Sequence, residues 1–392
     1  MMGSGKTSAA INMMRRCKDR QFVFITPFLD EVKRIKEGCA ERKFVEPFFS
    51  EKKNKLESLK ELLTEKKNIA STHALFKKYD DYTKALIRNG HYTLIMDEVV
   101  DVVEVVPIGA YDLDLMLQWG VIAVDENDRV HWLDDKYPAN NAWSECMRTI
   151  KSGHVVMENN KLMLWLFPAD VFEAFDEVIV LTHMFDAQIQ RYYYDLHRVE
   201  YEYIGVNERY DFCEVEDMHH DYSWLKEKIH VLDDEKLNVI GDGKYALSVT
   251  WFDRESKKRA YPNIKRLKAN AENVVRQRWG ASSSEILWST YKDNMRKLAG
   301  RGYTKGFLEF NARASNNYRD RKYLIYLVNI FLHVDIKTFF QHHDVQVLED
   351  KYALSVMLQW IWRSAIRDGK PIWIYIPSSR MRTLLENWLN EQ

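Results

Sequence analysis

Lys6 and Thr7 follow the turn Gly3-Ser4-Gly5, and the helix-forming run Ser8-Ala9-Ala10-Ile11-Asn12-Met13-Met14 follows them. A glycine-rich turn that opens a helix offers an anion backbone N–H groups and the positive end of the helix dipole. A lysine there reaches the β- and γ-phosphates, and the hydroxyl beside it serves Mg²⁺. The stretch reads as the second half of G-x-x-x-x-G-K-[ST]. The first glycine would fall just before Met1 and the strand expected to feed the loop is missing, so a truncated or unusually placed N-terminus is expected. A bare G-x-G-K-T also occurs in flexible turns; a second feature makes nucleotide chemistry the stronger reading. About ninety residues on, Tyr92-Thr93-Leu94-Ile95-Met96 ends in Asp97-Glu98. A buried strand delivering two acids at its C-terminal edge can give one carboxylate to Mg²⁺ through water and the other to an attacking water.

The third chemistry-bearing stretch is Gln359-Trp360-Ile361-Trp362-Arg363-Ser364-Ala365-Ile366-Arg367. Gln359, Arg363 and Arg367 are spaced by four, which on a helix makes one polar stripe. Guanidinium forks pair with phosphate oxygens, so two arginines on one stripe suit an oxyanion-rich ligand. In isolation such a stripe is more often a solvated salt-bridge face.

These residues need elements to position them. The first half alternates strands and helices, the pattern of a parallel α/β sheet. A helix from the phosphate loop to about Cys17 is followed by a buried strand at 21–26, a helix over 28–37 with Gly38 just past its end, a solvated helix at 51–67, the stretch Ser71-Thr72-His73, and the Asp97-Glu98 strand. Two β-hairpins are expected next, at 121–133 and 153–165, as an insertion spanning about 117–170. The sheet then resumes at 177–182. The expected division is a nucleotide-binding domain at 1–215, a polar, acidic linker at 216–243 and a second α/β domain at 244–392, with strands at 286–289, 306–310 and 371–376.

Composition bounds the class. The 392 residues are 46% hydrophobic and 29% charged, ordinary for a globular chain with sizeable cores. No apolar stretch is long enough to span a bilayer, and no signal peptide is expected before the loop. Cys17, Cys39, Cys146 and Cys213 are too widely spaced for a metal or disulfide framework, so reduced thiols and a cytoplasmic protein are expected. From Asp242 onward there are 26 basic and 15 acidic residues, and before it 31 and 43. A basic second half suits a polyanion, or else faces an acidic first half. His219-His220 and His342-His343 lack the cysteine or i,i+4 partners of a metal site. Most of the twelve tryptophans are expected in cores rather than as base-stacking platforms.

In motif order the chain resembles superfamily 2 helicases of the DEAD/DEAH-box-like kind, of the phage or prophage type. The resemblance runs nearly the full length but is uneven. Gly3, Ser4, Gly5, Lys6, Thr7 and Ser8 match the phosphate loop, and Asp97-Glu98 the second motif, with Val99-Val100 in place of Ala-His. Thr26, after which Pro27 ends the strand, and Ser71-Thr72-His73 match nucleic-acid-contacting motifs. Thr182-His183 stands where a Ser/Thr-Ala-Thr coupling motif would be. Asn311, Arg313 and Asn316 fall in the place of a further nucleic-acid motif. Gln359 to Arg367 resembles Q-x-x-G-R-x-x-R, with Trp362 for glycine and one extra residue between the arginines.

The resemblance implies two RecA-like domains, ATP and Mg²⁺ as cofactors, and single-stranded or forked nucleic acid, DNA before RNA, as partner. Replication proteins are further partners it implies, with no membrane, in the host cytoplasm if the gene is a phage's. Lys6 would hold phosphates, Thr7 and Asp97 the metal, and Glu98 would activate water. Gln359, Arg363 and Arg367 would act on the transferring phosphoryl group. Thr26, Thr72, His73, Asn311, Arg313 and Asn316 would contact the strand. The activity implied is a helicase or translocase; a nucleic-acid-stimulated ATPase that does not unwind, or a catalytically dead binding module, are the alternatives.

Overall fold

The computed structural model describes residues 3–51, 53–134, 141–217, 221–312 and 317–392. The chain forms two compact units. The first comprises residues 5–218 with 333–347, and the second comprises 219–332 and 348–392 together with the first four residues.

The first unit is built on four apolar runs: β1 (Gln21–Thr26), β2 (Ile69–Thr72), β3 (Tyr92–Asp97) and β9 (Glu177–Leu181), in the order β2-β1-β3-β9. All pairings are parallel. The inner strands are buried on both faces, which is why they read as continuous hydrophobic runs rather than alternating ones. The register places Thr26 opposite Thr72 and Asp97 opposite Leu181, so the chemistry-bearing residues end at one edge. The helix α1 (Lys6–Arg16) buries Ala10 and Met14 in a core with Phe22, Phe24, Val32, Ile35, Ile95 and Ile179. Helix Leu29–Gly38 keeps Gly38 as its last helical residue, where the sequence placed it just past the end. The charged segment after residue 51 becomes helix Lys55–Thr64, started by a reciprocal capping box between Asn54 and Glu57.

Between β3 and β9 lies the insertion. β4 (Val103–Val105), β7 (Val155–Glu158) and β8 (Leu162–Leu166) form an antiparallel sheet in the order β4-β8-β7, beside the hairpin of β5 (Ile122–Val124) and β6 (Val130–Trp132). A bridge between Arg129 and Val156 joins the two hairpins. The insertion has its own core of Val106, Leu113, Met116, Ile122, Trp132, Met147 and Met163. It therefore begins at 103 rather than about 117, because β4 pairs with β8 through Val105 and Leu164. A three-residue strand paired some sixty residues away leaves no local periodicity to read.

The second unit carries another parallel sheet: β12 (Ile229–Val231), β15 (Ile372–Tyr375), β14 (Tyr323–Tyr326) and β13 (Ile286–Ser289), in the order β12-β15-β14-β13. Its core includes Trp251, Phe252, Ile264, Leu267, Trp288, Tyr303 and Ile325. The α/β class is thus as expected, with a parallel sheet in each domain and a hairpin insertion in the first.

Four details of the second half differ from the sequence reading. The segment 216–243 is not a linker: it holds helix Trp224–Lys228, β12 and helix Glu235–Asn238. Residues 306–310 run beside β13, joined to it by an isolated bridge between Phe307 and Trp288, and form no strand. β14, central in the sheet, was not anticipated, since a short apolar run has no period that separates strand from buried helix. Residues 333–347 belong to the first unit: Phe340 packs against Tyr192 with ring centroids 5.7 Å apart, Arg191 donates to the Gln346 carbonyl at 2.9 Å, and His342 pairs with Glu158 at 2.6 Å.

The polar stripe of Gln359, Arg363 and Arg367 does not form. Helix Glu349–Ile361 ends before Arg363. Ser364 is extended; its hydroxyl donates to the Ile361 carbonyl at 2.6 Å and accepts from the Ile366 N–H at 3.5 Å. A serine that bonds its neighbours' backbone competes with helix continuation. Arg367 lies beyond it on a short 3₁₀ turn, Ala365–Asp368.

Candidate nucleotide site

The C-terminal edge of the first sheet, where open parallel sheets collect ligands, brings together Lys6, Thr7, Asp97 and Glu98. Gly5 caps α1 in the left-handed region at φ 78°, and its carbonyl accepts the Ala9 N–H at 2.9 Å. Only glycine takes that conformation without cost. It turns the chain so that Lys6 and Thr7 open the helix. Thr7 Oγ1 donates to Asp97 Oδ1 at 3.3 Å across ninety residues. The Asp97 carboxyl is pushed up to about 7, first by burial and then by the negative charges of Glu98 and Glu31, against which the Thr7 bond works. Burial lowers the Lys6 ammonium from its usual value, while Glu98 and Asp97 pull it back up.

Glu98 has φ 68° and donates its N–H to the Leu181 carbonyl at 3.1 Å. A non-glycine residue in that region is uncommon and persists only where its surroundings enforce it. β9 holds the turn on one side. On the other, the Gln190 side chain accepts the Val100 N–H at 2.9 Å and in turn donates to the Tyr194 hydroxyl. The backbone turn that carries Glu98 is thereby held from both sides.

The donor set suits a hard cation. A hydroxyl and a buried, electrostatically disfavoured carboxylate are oxygen ligands of the kind Mg²⁺ takes, and positive charge beside Asp97 would relieve its repulsion.

Other sequence candidates fall as follows. Thr26 is 0% exposed and its hydroxyl finds no hydrogen-bond partner; Thr72 is half-buried beside it. His73 is buried, with Nε2 3.1 Å from the Asp97 carbonyl, so its ring braces the end of β3 rather than facing solvent. Thr182 has a buried hydroxyl without a partner, and His183, 4% exposed, has neither ring nitrogen hydrogen-bonded. Buried polar groups in native proteins are rarely left so. Asn311 is exposed in a turn, and Arg313 and Asn316 lie outside the described residues, as do His219 and His220. Gln359 and Arg363 are half-buried and Arg367 is exposed. The sequence reading overlooked Glu31, Gln190 and Tyr210. The first two have no motif spacing to mark them, and Tyr210 lies in the polar end of the expected first domain, where no motif falls.

His183 gives a pH prediction. Burial, aided by the charge of Lys6, depresses its imidazole to about 3. An unfolded histidine protonates near pH 6.5, so below that pH the unfolded chain holds more protons than the folded one. The neutral ring's contribution is whole above pH 6.5 and is lost as the pH falls towards 3. Between pH 7.5 and 5 the loss amounts to about 2 kcal/mol. Urea unfolding of wild type and His183→Leu at the two pH values should show the variant less acid-sensitive by that amount; equal acid sensitivity would mean the imidazole is charged or hydrated in the fold.

Among the described residues no helix is long and apolar enough to cross a membrane. Residues 223–389 match the family description YonV C-terminal Rossmann-like domain, and residues 103–165 match the YonV middle domain. The second match coincides with the insertion from β4 to β8. The chain is 41% identical over 409 residues to the SPbeta prophage-derived uncharacterized protein YonV of Bacillus subtilis strain 168, covering 100% of this chain and 98% of that protein. Among solved structures, S. tokodaii Xpd4 aligns over 98% of this chain and 92% of its own, at 12% identity and a TM-score of 0.45. With that coverage and identity to the prophage protein, the chain belongs to the YonV family.

Proposed function

We propose that the chain is a Mg²⁺-dependent ATPase that acts on nucleic acid, a helicase or translocase working on DNA in phage or prophage replication or recombination. The observation that carries this reading is the Thr7–Asp97 contact at 3.3 Å, beneath a glycine-capped helix that begins with Lys6. The spacing of the two motifs and their meeting at one sheet edge support it together. The prophage-derived description of the B. subtilis relative supports the phage setting; the host cytoplasm and replication proteins as partners belong to the proposal.

Lys6 and the N–H groups of residues 4–8 bind the phosphates in this reading. Thr7 and Asp97 hold Mg²⁺, which supplies charge neutralisation of the phosphates when bound. Glu98 takes a proton from the attacking water. His73 keeps the end of β3 in place through the Asp97 carbonyl, and Thr182 and His183 are assigned to coupling by their place in the resembled motif order. Arg363 and Arg367, with Gln359, are assigned to transition-state charge by their likeness to the last helicase motif. Thr72, Asn311, Arg313 and Asn316 are assigned to the strand's backbone by the same likeness, whereas Thr26, fully buried, is not.

The deciding experiment is phosphate release by the purified chain with Mg²⁺–ATP, with and without single-stranded DNA, followed by a forked-duplex unwinding assay. Hydrolysis stimulated by single strands is expected, with unwinding of the fork. Stimulated hydrolysis without unwinding would make it a non-unwinding ATPase, and nucleic-acid binding with no hydrolysis would make it a dead module.

A further inference from the structure

The hairpin of β10 (Gly205–Val206) and β11 (Phe212–Cys213) lies against α1. Its turn is a rigid mount. Asn207 Oδ1 accepts the N–H groups of Arg209 and Asp211, both at 3.0 Å, and the Asn207 carbonyl accepts the Tyr210 N–H at 3.0 Å. The mount is fastened to the phosphate-loop helix at two points. Asn12 Nδ2 donates to the Tyr210 carbonyl at 3.1 Å, and Arg16 pairs with Asp211 at 2.6 Å. Gly5, Asn12 and Arg16, spaced by seven and four, share one helical face. At its tip Tyr210 sits at φ 58°, a region that disfavours bulky residues. Its ring rests on the phosphate loop: a Cβ at Gly5 would come within 2.3 Å of Cδ1 and 2.4 Å of Cε1. Yet the tyrosine remains 50% exposed. A large aromatic held in an unfavourable backbone conformation, pinned to the loop and left half in water, gives up local stability without burying its ring. The usual inference from such strain is function.

We propose that Tyr210 is the nucleobase wall of the nucleotide site, stacking its free face on the base of a bound nucleoside triphosphate. The proposal rests on the nucleotide reading above. At about 100° per residue, Asn12 and Arg16 lie roughly 140° and 180° round α1 from Thr7. Thr7 marks the metal and terminal-phosphate side, facing Asp97. A nucleoside must leave its phosphates away from the two sheet carboxylates, and the flank that carries the hairpin is that side. Stacking needs only a π-face, so the wall favours nucleotides over bare polyphosphate while discriminating little among bases.

The test compares Mg²⁺–ATP with Mg²⁺–tripolyphosphate, an inorganic probe with no base, by calorimetric titration of the full chain. Tyr210→Ala should weaken ATP binding on the order of 10- to 100-fold, the range expected for one lost stack. Tripolyphosphate affinity should not change, and Tyr210→Phe should bind ATP like wild type. Lys6→Ala should weaken both ligands. Equal weakening of both ligands by Tyr210→Ala would make the hairpin a brace for the loop, and tighter ATP binding would make the ring a plug; either overturns the wall, as does unchanged ATP affinity. Should wild type bind neither probe, the phosphate-loop assignment itself falls, and the wall with it.

Discussion

Glu98→Gln should bind Mg²⁺–ATP as wild type does and hydrolyse it about 10²- to 10⁴-fold more slowly, the usual worth of a positioned general base. The amide is isosteric, so the left-handed turn at φ 68° and the N–H bond to the Leu181 carbonyl survive the change. What disappears is the capacity to accept a proton. Loss of one negative charge beside Asp97 also removes part of the repulsion on that carboxyl, so metal affinity should not fall. Nucleotide affinity by titration and phosphate release under saturating ATP separate the two effects. Wild-type turnover in the purified variant would make Glu98 a structural acid held in a strained turn for some other reason.

The second large effect is expected at Arg363. A finger arginine is worth on the order of 10³ or more in phosphoryl transfer, whereas an exposed ion pair is worth under about 1 kcal/mol of stability. Because helix Glu349–Ile361 stops short of Arg363, the two arginines are no longer equivalent members of one stripe. Arg363 is half-buried at the helix end, while Arg367 is exposed on a turn that also carries Asp368, the partner of Arg319. Arg363→Ala should therefore cut turnover by about 10³ with nucleotide affinity and thermal midpoint little changed, and Arg367→Ala should cost far less. If Arg363→Ala lowers the midpoint yet leaves turnover alone, its role is packing, and the likeness to the last helicase motif misassigns it.

Much of the first unit was legible because its signals are local. Continuous apolar runs mark strands buried on both faces, and each run that ends in Thr26, Thr72, Asp97 or Leu181-Thr182 delivers its chemistry to one edge. What could not be read was set by tertiary partners. The conformation of Glu98 depends on Leu181, the buried setting of His73 on the Asp97 carbonyl, and the place of Tyr210 on Gly5. In the second unit the four-residue spacing of Gln359, Arg363 and Arg367 satisfied a helical template, but Ser364 outbid the helix for its own backbone. β12 was lost inside acidic, polar text because a three-residue edge strand draws its stability from β15, more than a hundred positions away.

The segment 333–347 leaves the second unit, packs its helix Val334–His342 into the first, and returns. The polypeptide is thus laced rather than strung. One proteolytic cut near residue 218 would not release two finished bodies, since the earlier fragment would lack the helix whose Phe340 covers Tyr192 and whose His342 meets Glu158. Apolar surface bared in this way favours aggregation. During synthesis the earlier portion must wait for more than a hundred further residues before its last piece emerges. Nicked samples should accordingly stay associated under native conditions, and dissection of this family calls for grafting the 333–347 segment rather than trimming at the apparent boundary.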